Sequence, residues 1–202
     1  PVVEFHGWVG GHASMDMNLD YQTNAIYAGA SYEVLGIVTF GKMYRILIGT
    51  QDMDVYPGPG SWEVSVLAHT KPEQPIVAAP GIASDHTSTP WVYWGTGRFF
   101  NDVDKATLTT QSFYGVKDRT LAAGGSAEGK TPAGLMDVTN VEVTYGEPST
   151  VNGSTVIGAD SGWDQMLAAM RGDEVTPTYG WVLDLIDIAG AGSGERVLEK
   201  PS

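Results

Sequence analysis

Residues 91–118 constrain the fold of this chain more than any other stretch. They begin with WVYW (91–94), a run of aromatic and β-branched side chains that fits a pleated sheet better than a helix. Glycine at 95 and 97 indicates a bulge or a place where another backbone segment approaches closely. A polar loop then leads to a second apolar run at 113–116. We therefore expect two adjacent, largely buried strands at 91–94 and 113–116.

Other apolar or alternating segments predict further strands, and turns rich in glycine and proline separate them. The segments are residues 1–9, 25–29, 41–48, 62–69, 75–83, 138–145, 180–188 and 195–198. One helix is expected at 163–171, where good helix formers precede a glycine that can cap the C-terminus. The sequence therefore predicts an almost entirely β fold.

A weak internal repeat narrows the fold class. Three times, an apolar strand ending in Gly or Asp is followed by a turn and a strand that opens with Gly or an aromatic residue. Propeller blades take about 40–50 residues each, so this length suggests about four blades of antiparallel sheet. A propeller must close or leave exposed edges. We expect an all-β fold: a partial β-propeller completed by sequence outside this chain, with residues 1–202 forming part of one domain without internal boundary. A closed four-bladed ring or a β-sandwich is the alternative.

Composition excludes several classes of function. Eleven Lys and Arg face 24 Asp and Glu, and a net charge of −13 repels phosphate backbones, so no nucleic-acid partner is expected. The absence of cysteine excludes disulfides, thiol nucleophiles and Cys-ligated zinc. No window of about 18 apolar residues predicts a membrane span. The first residues carry no signal-peptide pattern, and the chain does not begin with Met, so we expect either a processed start or a piece of a longer protein.

Residues 16–24, DMNLDYQTN, form a candidate calcium loop. Calcium takes six to eight oxygen ligands at about 2.3–2.6 Å, and alternate residues of a tight loop can supply them. The candidate ligands are the side chains of Asp16, Asn18 and Asp20, the carbonyl of Gln22 and the side chain of Asn24. The sixth position is not the usual glycine and the ninth is uncharged, which predicts weaker affinity than an all-Asp loop has. An acidic turn closed by Asx hydrogen bonds is the alternative.

The order of these motifs resembles the C-terminal β-propeller of the PilY family, whose members are type IV pilus biogenesis factors and pilus-tip adhesins. The resemblance is carried by WVYWGTGRFF, a short polar loop and QSFYGVKD within 91–118. Upstream, an acidic loop precedes an apolar strand ending in Gly29 and then GKMYR at 41–45. Downstream, GWVLDL at 180–185 and GERV at 194–197 match the last two strands of the family region. The resemblance covers roughly residues 13–48 and 75–200.

The resemblance implies a non-enzymatic pilus-tip adhesin and assembly factor that supports pilus extension, retraction and surface attachment. In this family a loop of the form D-x-[DN]-x-D-x-x-x-D binds calcium directly before the apolar strand, which is where residues 16–24 stand. The implied partners are minor pilins at the pilus tip, the remaining propeller segment of the same precursor, and a host or surface ligand. The implied location is extracellular, at the bacterial cell surface or pilus tip.

Two other functions of propellers compete with this interpretation. A quinoprotein-type dehydrogenase surrounds its quinone with basic and amide groups, and this chain has 11 basic residues and no G-x-S-x-G nucleophile motif or other catalytic signature. A lectin-like propeller would use an exposed tryptophan as a sugar platform.

Separately, Asn101, Asp102 and Asp104 could hold a second cation, with a solvated acidic loop as the alternative.

Overall fold

A computed structural model describes a large part of the chain, and all structural statements refer to that part. The described residues are 8–15, 23–34, 37–48, 62–84, 89–118, 130–139, 141–142, 149–151, 154–157, 179–186, 192 and 194–198.

Strands dominate the described residues. They are β1 (Trp8–Met15), β2 (Ala25–Val34), β3 (Ile37–Leu47), β4 (Glu63–His69), β5 (Gly81–Ser84), β6 (Pro90–Gly95), β7 (Gln111–Lys117), β8 (Met136–Asp137), β9 (Val141–Glu142), β10 (Ser149–Val151), β11 (Ser154–Ile157) and β12 (Gly180–Leu185). One short helix, α1 (Asp102–Ala106), lies between β6 and β7, and a 3₁₀ turn spans Pro132–Gly134.

Two sheets of blade size contain most of these strands. The first is an antiparallel meander in the order β1-β2-β3-β4, in which consecutive strands are neighbours. The second has the order β5-β6-β7-β12-β8, in which β12 pairs antiparallel with β7 and parallel with β8. A small sheet, β11-β10-β9, is formed within the segment that separates β7 from β12. The prediction of an all-β fold built from antiparallel sheets is therefore confirmed.

The predicted pair of strands in 91–118 is also confirmed. β6 and β7 are antiparallel neighbours, with Trp94 opposite Tyr114. Their rings stack at 5.1 Å between centroids and are buried in the core between the two sheets. The core continues through Tyr27 and Met43 of the first sheet. Aromatic side chains at facing positions thus join the two sheets through large buried areas.

Some details differ from the sequence-based expectations. In the described part, two sheets of blade size and one small sheet stand where length suggested about four blades. Residues 75–80 and 194–198 are extended segments rather than strands. The predicted helix at 163–171 lies outside the described residues. The helix α1 was not anticipated, and Asn101 caps it through hydrogen bonds from two backbone amides.

A strap, residues 74–79, crosses the first sheet between the two sheets. Its backbone approaches closely because the sheet presents glycine along its path, at Gly10, Gly11, Gly29 and Gly41. A Cβ at Gly29 would overlap the Ile76 side chain. Hydrogen bonds fix the strap: Gly11 N donates to Val77 O at 3.1 Å, and Ile76 N donates to Ser31 Oγ at 2.8 Å. The strap carries the chain from the last strand of the first sheet to the first strand of the second.

The glycines at 95 and 97 have the same role in the second sheet, as the sequence predicted. Val197 N donates to Thr96 O at 3.0 Å, so residues 194–198 lie directly against the end of β6. A Cβ at Gly95 would overlap the side chain of Val197. Gly97 has φ +119°, a conformation that side chains rarely adopt, and Arg196 covers it.

Among the described residues, no helix is long and apolar enough to cross a membrane.

Replacing Gly95 by Ala should destabilise the protein, because the added methyl group overlaps Val197 in a packed site. Overpacking of this kind costs about 1–3 kcal/mol in the free energy of unfolding. Chemical denaturation of wild type and G95A measures the loss. Gly134→Ala is the matched control, since nothing lies within 4 Å of a Cβ there. Equal midpoints for G95A and G134A would contradict the close approach.

Candidate functional site

A buried ion pair connects the two sheets. Arg45 on β3 places Nη1 at 2.5 Å from Oδ1 of Asp118, the residue that follows β7. The Arg45 side chain is 1% exposed and the Asp118 side chain is 0% exposed. Burying two charges is expensive unless each is paired with good geometry and further hydrogen bonds. The short contact and the complete burial indicate that this pair is an integral part of the sheet–sheet contact.

Two further side chains complete this blade junction, which consists of Tyr27, Arg45, Ser65 and Asp118. The Tyr27 hydroxyl donates to Asp118 Oδ2 at 2.8 Å, and Arg45 Nη2 donates to Ser65 Oγ at 2.6 Å. Burial, reinforced by the Asp118 carboxylate, raises the pKa of Tyr27 far above its ordinary value. Tyr27 therefore stays a neutral donor throughout the physiological range. Strands β2, β3 and β4 thus each contribute a side chain to a cluster centred on a single carboxylate of the second sheet.

A polar cleft lies where the chain leaves β4, where β7 begins and where β12 ends. Its volume is about 380 Å³, and its lining is mostly polar: Lys71, Pro72, Gln74, Thr109, Thr110, Asp137, Thr139, Asp184 and Ile186. Lys71 Nζ lies 2.7 Å from both carboxylate oxygens of Asp184, and this pair is partly exposed. Partly exposed pairs contribute little to stability, so this one mainly orients groups at the cleft wall.

A chain of hydrogen bonds continues from the cleft into the core. Ser112 Oγ donates to Asp184 Oδ1 at 2.6 Å, and Gln74 Nε2 donates to Ser112 Oγ at 2.7 Å. The Tyr114 hydroxyl donates to Gln74 Oε1 at 2.6 Å, and burial raises the pKa of Tyr114. Because Gln74 belongs to the strap, this network attaches the strap to β7 and β12.

Most of the predicted calcium loop lies outside the described residues. Asp16, Asn18, Asp20 and Gln22 fall there, and Asn24 alone is described. Asn24 is buried immediately before β2, its backbone N donates to Met15 O at 2.8 Å, and its carbonyl accepts from Ile48 N at 2.8 Å. The loop is therefore closed at its base between β1 and β2. In the part of the chain that the structure describes, no cluster of three or more His, Asp or Glu is arranged to hold a metal ion.

The loop at 101–104 is a capped helical turn. Asn101 Oδ1 accepts from Val103 N and Asp104 N. Asp104 accepts from Arg98 Nε at 2.8 Å and from Phe100 N at 2.9 Å. Burial on its own would raise the pKa of Asp104, but these donors lower it below its usual value. The oxygens of Asn101 and Asp104 that were considered for a second cation are thus engaged in hydrogen bonds that hold the turn.

The sequence carries a signal for the blade junction, a charged residue on an apolar strand face, from which the junction was not predicted. Arg45 alternates with Met43 and Leu47 on the face of β3 that packs against the second sheet. A charge on an otherwise apolar face requires a buried partner. The acid that closes the QSFYGVKD motif, Asp118, is that partner. Spacing alone could not identify it, because Arg45 and Asp118 lie on different sheets.

Replacing Asp118 by Ala should lower the free energy of unfolding by about 3–5 kcal/mol, because it leaves the buried Arg45 charge without a partner. Urea denaturation measures the loss. The double variant Arg45→Met/Asp118→Leu should recover part of it, since neither charge is then buried.

Asp102→Ala, at an exposed carboxylate in the first turn of α1, is the control and should change stability by less than about 1 kcal/mol. A loss in D118A no greater than in D102A would contradict a structural role for the junction.

In the comparison with known proteins, no family model matches the chain. It is 27% identical over 143 residues to the type IV pilus biogenesis factor PilY1 homolog of Xylella fastidiosa, an alignment that covers 68% of this chain and 10% of that protein. The chain thus spans about a tenth of the length of this curated relative.

The crystal structure of the Pseudomonas aeruginosa PilY1 C-terminal domain has a similar fold. It superposes with a TM-score of 0.61 at 21% identity and covers 95% of this chain and 42% of that chain. The two large sheets are therefore part of a propeller-type domain. Together the two comparisons confirm that the chain resembles the C-terminal region of the PilY family.

Proposed function

We propose that this chain is a propeller segment of a type IV pilus biogenesis factor and acts as a binding and assembly module rather than as an enzyme. The observation that carries the proposal is the alignment with the PilY1 homolog over 68% of the chain. The motifs that carry the resemblance also contain the structural junction: Arg45 belongs to GKMYR and Asp118 to QSFYGVKD. Both charged residues of the junction thus lie in motifs that match the family pattern.

Deleting the region that encodes this chain in its native bacterium should remove surface pili and twitching motility, and the wild-type sequence should restore both. Electron microscopy and a twitching assay on agar measure the two outcomes. Complementation with D102A, which changes an exposed side chain, should restore both as well, whereas D118A should restore neither if its propeller unfolds. Normal piliation in the deletion strain would contradict the proposal.

We also infer a location at the cell surface or pilus tip, contact with minor pilins, and attachment to a host or surface ligand. The name of the curated relative, a pilus biogenesis factor, supports this inference. The strongly acidic composition suits an exposed location, because a net charge far from zero keeps a protein soluble. Gold-labelled antibody against this chain should decorate pilus tips in the complemented strain and not in the deletion strain. Label confined to the cell interior would contradict this location.

Calcium binding in the loop 16–24 is a further part of the proposal. It is supported by the alternation of oxygen-bearing side chains at Asp16, Asn18 and Asp20. The hydrogen bond from Asn24 N to Met15 O brings the two ends of this segment together. Bound calcium would neutralise carboxylates that repel one another, and would thereby fix the connection between β1 and β2.

Calcium should raise the thermal stability of the wild-type chain, by about 2.7 kcal/mol when free calcium is 100-fold above the dissociation constant. Asp20→Ala should abolish this increase while leaving the stability without calcium nearly unchanged, because Asp20 belongs to neither β1 nor β2. D102A serves as the control, since it removes an exposed carboxylate elsewhere and should keep the response. Melting curves with calcium and with chelator measure the effect. Equal midpoints under both conditions in the wild type would show that the loop is an acidic turn.

A further inference from the structure

The polar cleft is built from segments that connect strands. Lys71 follows the end of β4 in the first sheet, and Thr109 and Thr110 end the connection that carries α1 from β6 to β7. Connecting segments on a rigid scaffold are where binding residues concentrate. With a volume of about 380 Å³, the cleft falls within the usual range of ligand sites, about 300–1,000 Å³.

The charged groups of the cleft leave no free cation for an anionic ligand. The ammonium group of Lys71 contacts both carboxylate oxygens of Asp184 at 2.7 Å. Asp137 is exposed, and its Oδ1 accepts a hydrogen bond from Thr139 N at 2.9 Å, which holds the carboxylate at the cleft wall. Asp137 therefore adds a negative charge that the Lys71–Asp184 pair does not neutralise.

The rim beside Thr109 adds acceptor oxygens. Glu73 is exposed, and its Oε2 lies 3.4 Å from Thr109 Oγ1. Gln111, which is 5% exposed, donates through Nε2 to the carbonyl oxygens of both Glu73 and Thr109 at 3.3 Å. Its Oε1 is buried and has no hydrogen-bond partner among the described residues. This wall is thus rich in acceptors, so a ligand that fits it must bring hydrogen-bond donors.

Exposed apolar side chains lie in the connection that forms this wall. Leu108 directly precedes Thr109 and is 66% exposed. Phe99, Phe100 and Val103 of the same connection are 51%, 63% and 76% exposed. They are held on an ordered scaffold, since α1 is capped at its N-terminus by a side chain. Clustered apolar surface of this kind marks a site of contact with another protein.

We propose that the cleft and Leu108 beside it form a docking site for a basic segment of a partner protein. An arginine side chain of that segment occupies the cleft, and a neighbouring apolar side chain packs on Leu108. The proposal rests on the proposed function as a binding module and names the chemistry that the module recognises.

Charge and geometry identify the occupant as arginine. A guanidinium presents five donors in a rigid fork, which suits a wall of carboxylate, hydroxyl and carbonyl oxygens. The net charge of −13 also attracts basic partners and speeds their approach. A sugar fits less well, because the described lining contains no aromatic ring on which it could stack.

Two small probes can test the site on the natural polypeptide that contains this chain. One is N-acetyl-Arg-Leu-amide, and the other carries citrulline, which keeps the shape of arginine without its charge. Ligand-observed NMR titrations measure both dissociation constants. Asp137→Asn removes the charge at the cleft while its side-chain oxygen can still accept from Thr139 N. Glu63→Gln is the matched control, since Glu63 is exposed at the opposite end of β4 from Lys71.

The arginine probe should bind about tenfold more tightly than the citrulline probe, because hydrogen bonds between ionised groups are the stronger ones. Asp137→Asn should weaken binding of the arginine probe about threefold, the modest effect expected of a solvent-exposed ion pair. It should leave the citrulline probe unchanged. Glu63→Gln should change neither constant. Leu108→Ser should weaken both probes by the same factor, since it removes an apolar contact and no charge.

Equal affinity for the two probes, or no binding of either at millimolar concentration, would overturn the proposal. An equal loss in Asp137→Asn and Glu63→Gln would overturn it too, because the attraction would then come from the charge of the whole chain. Displacement of the arginine probe by methyl mannoside would assign the cleft to sugar hydroxyls instead. Normal pili in the deletion strain would remove the proposed function and leave these constants as they are, so the two failures are distinguishable.

Discussion

The contact between the two sheets depends on one charge interaction removed from water, the pair between Arg45 and Asp118. A buried guanidinium and carboxylate tolerate little displacement from one another. If they separate, each charge remains in apolar surroundings without an oppositely charged partner. Apolar contacts around Trp94 and Tyr114 supply most of the favourable free energy, but they vary smoothly with position. The ion pair, with Tyr27 and Ser65 attached to it, therefore selects one alignment of the sheets from the many that would bury similar area.

Close backbone approach is the second condition for this packing. The strap can lie between the sheets because glycines on three successive strands leave room for it. An extended segment buried in this way needs partners for its polar groups, and it finds them in Ser31 and Gly11 on one side and in Ser112 on the other, through Gln74. The high glycine content of the chain thus reflects contacts between backbones as well as turns.

The sequence predicted those strands whose own side chains determine that they must be buried. The aromatic runs at 91–94 and 113–116 could only be stable as adjacent buried strands, and they are β6 and β7. Residues 195–198 were also predicted as a strand but lie as an extended segment on Gly95, where Val197 N donates a hydrogen bond to Thr96 O. Composition does not reveal how many hydrogen-bonded neighbours a segment finds.

Contacts between residues far apart in the chain could not be predicted from the sequence. The partnership of Arg45 with Asp118 requires knowledge of which sheets face each other, and the helix α1 depends on a cap at Asn101 within a loop that composition marks only as polar. The candidate calcium ligands, apart from Asn24, lie outside the described part of the chain, so that prediction still rests on spacing.

The excursion between β7 and β12 has a consequence for the order of folding. The first sheet is a meander of consecutive strands, so each pairing closes a short loop and can form as soon as its strands are synthesised. The second sheet cannot pair β7 with β12 until residues 118–179 have also left the ribosome. The entropic penalty of this longer loop is modest, since each doubling of loop length costs about 0.6 kcal/mol. The delay in time is larger, and throughout it the free edge of β7 is a template for incorrect pairing. A nascent chain of this protein therefore presents a finished first blade beside an unfinished second one.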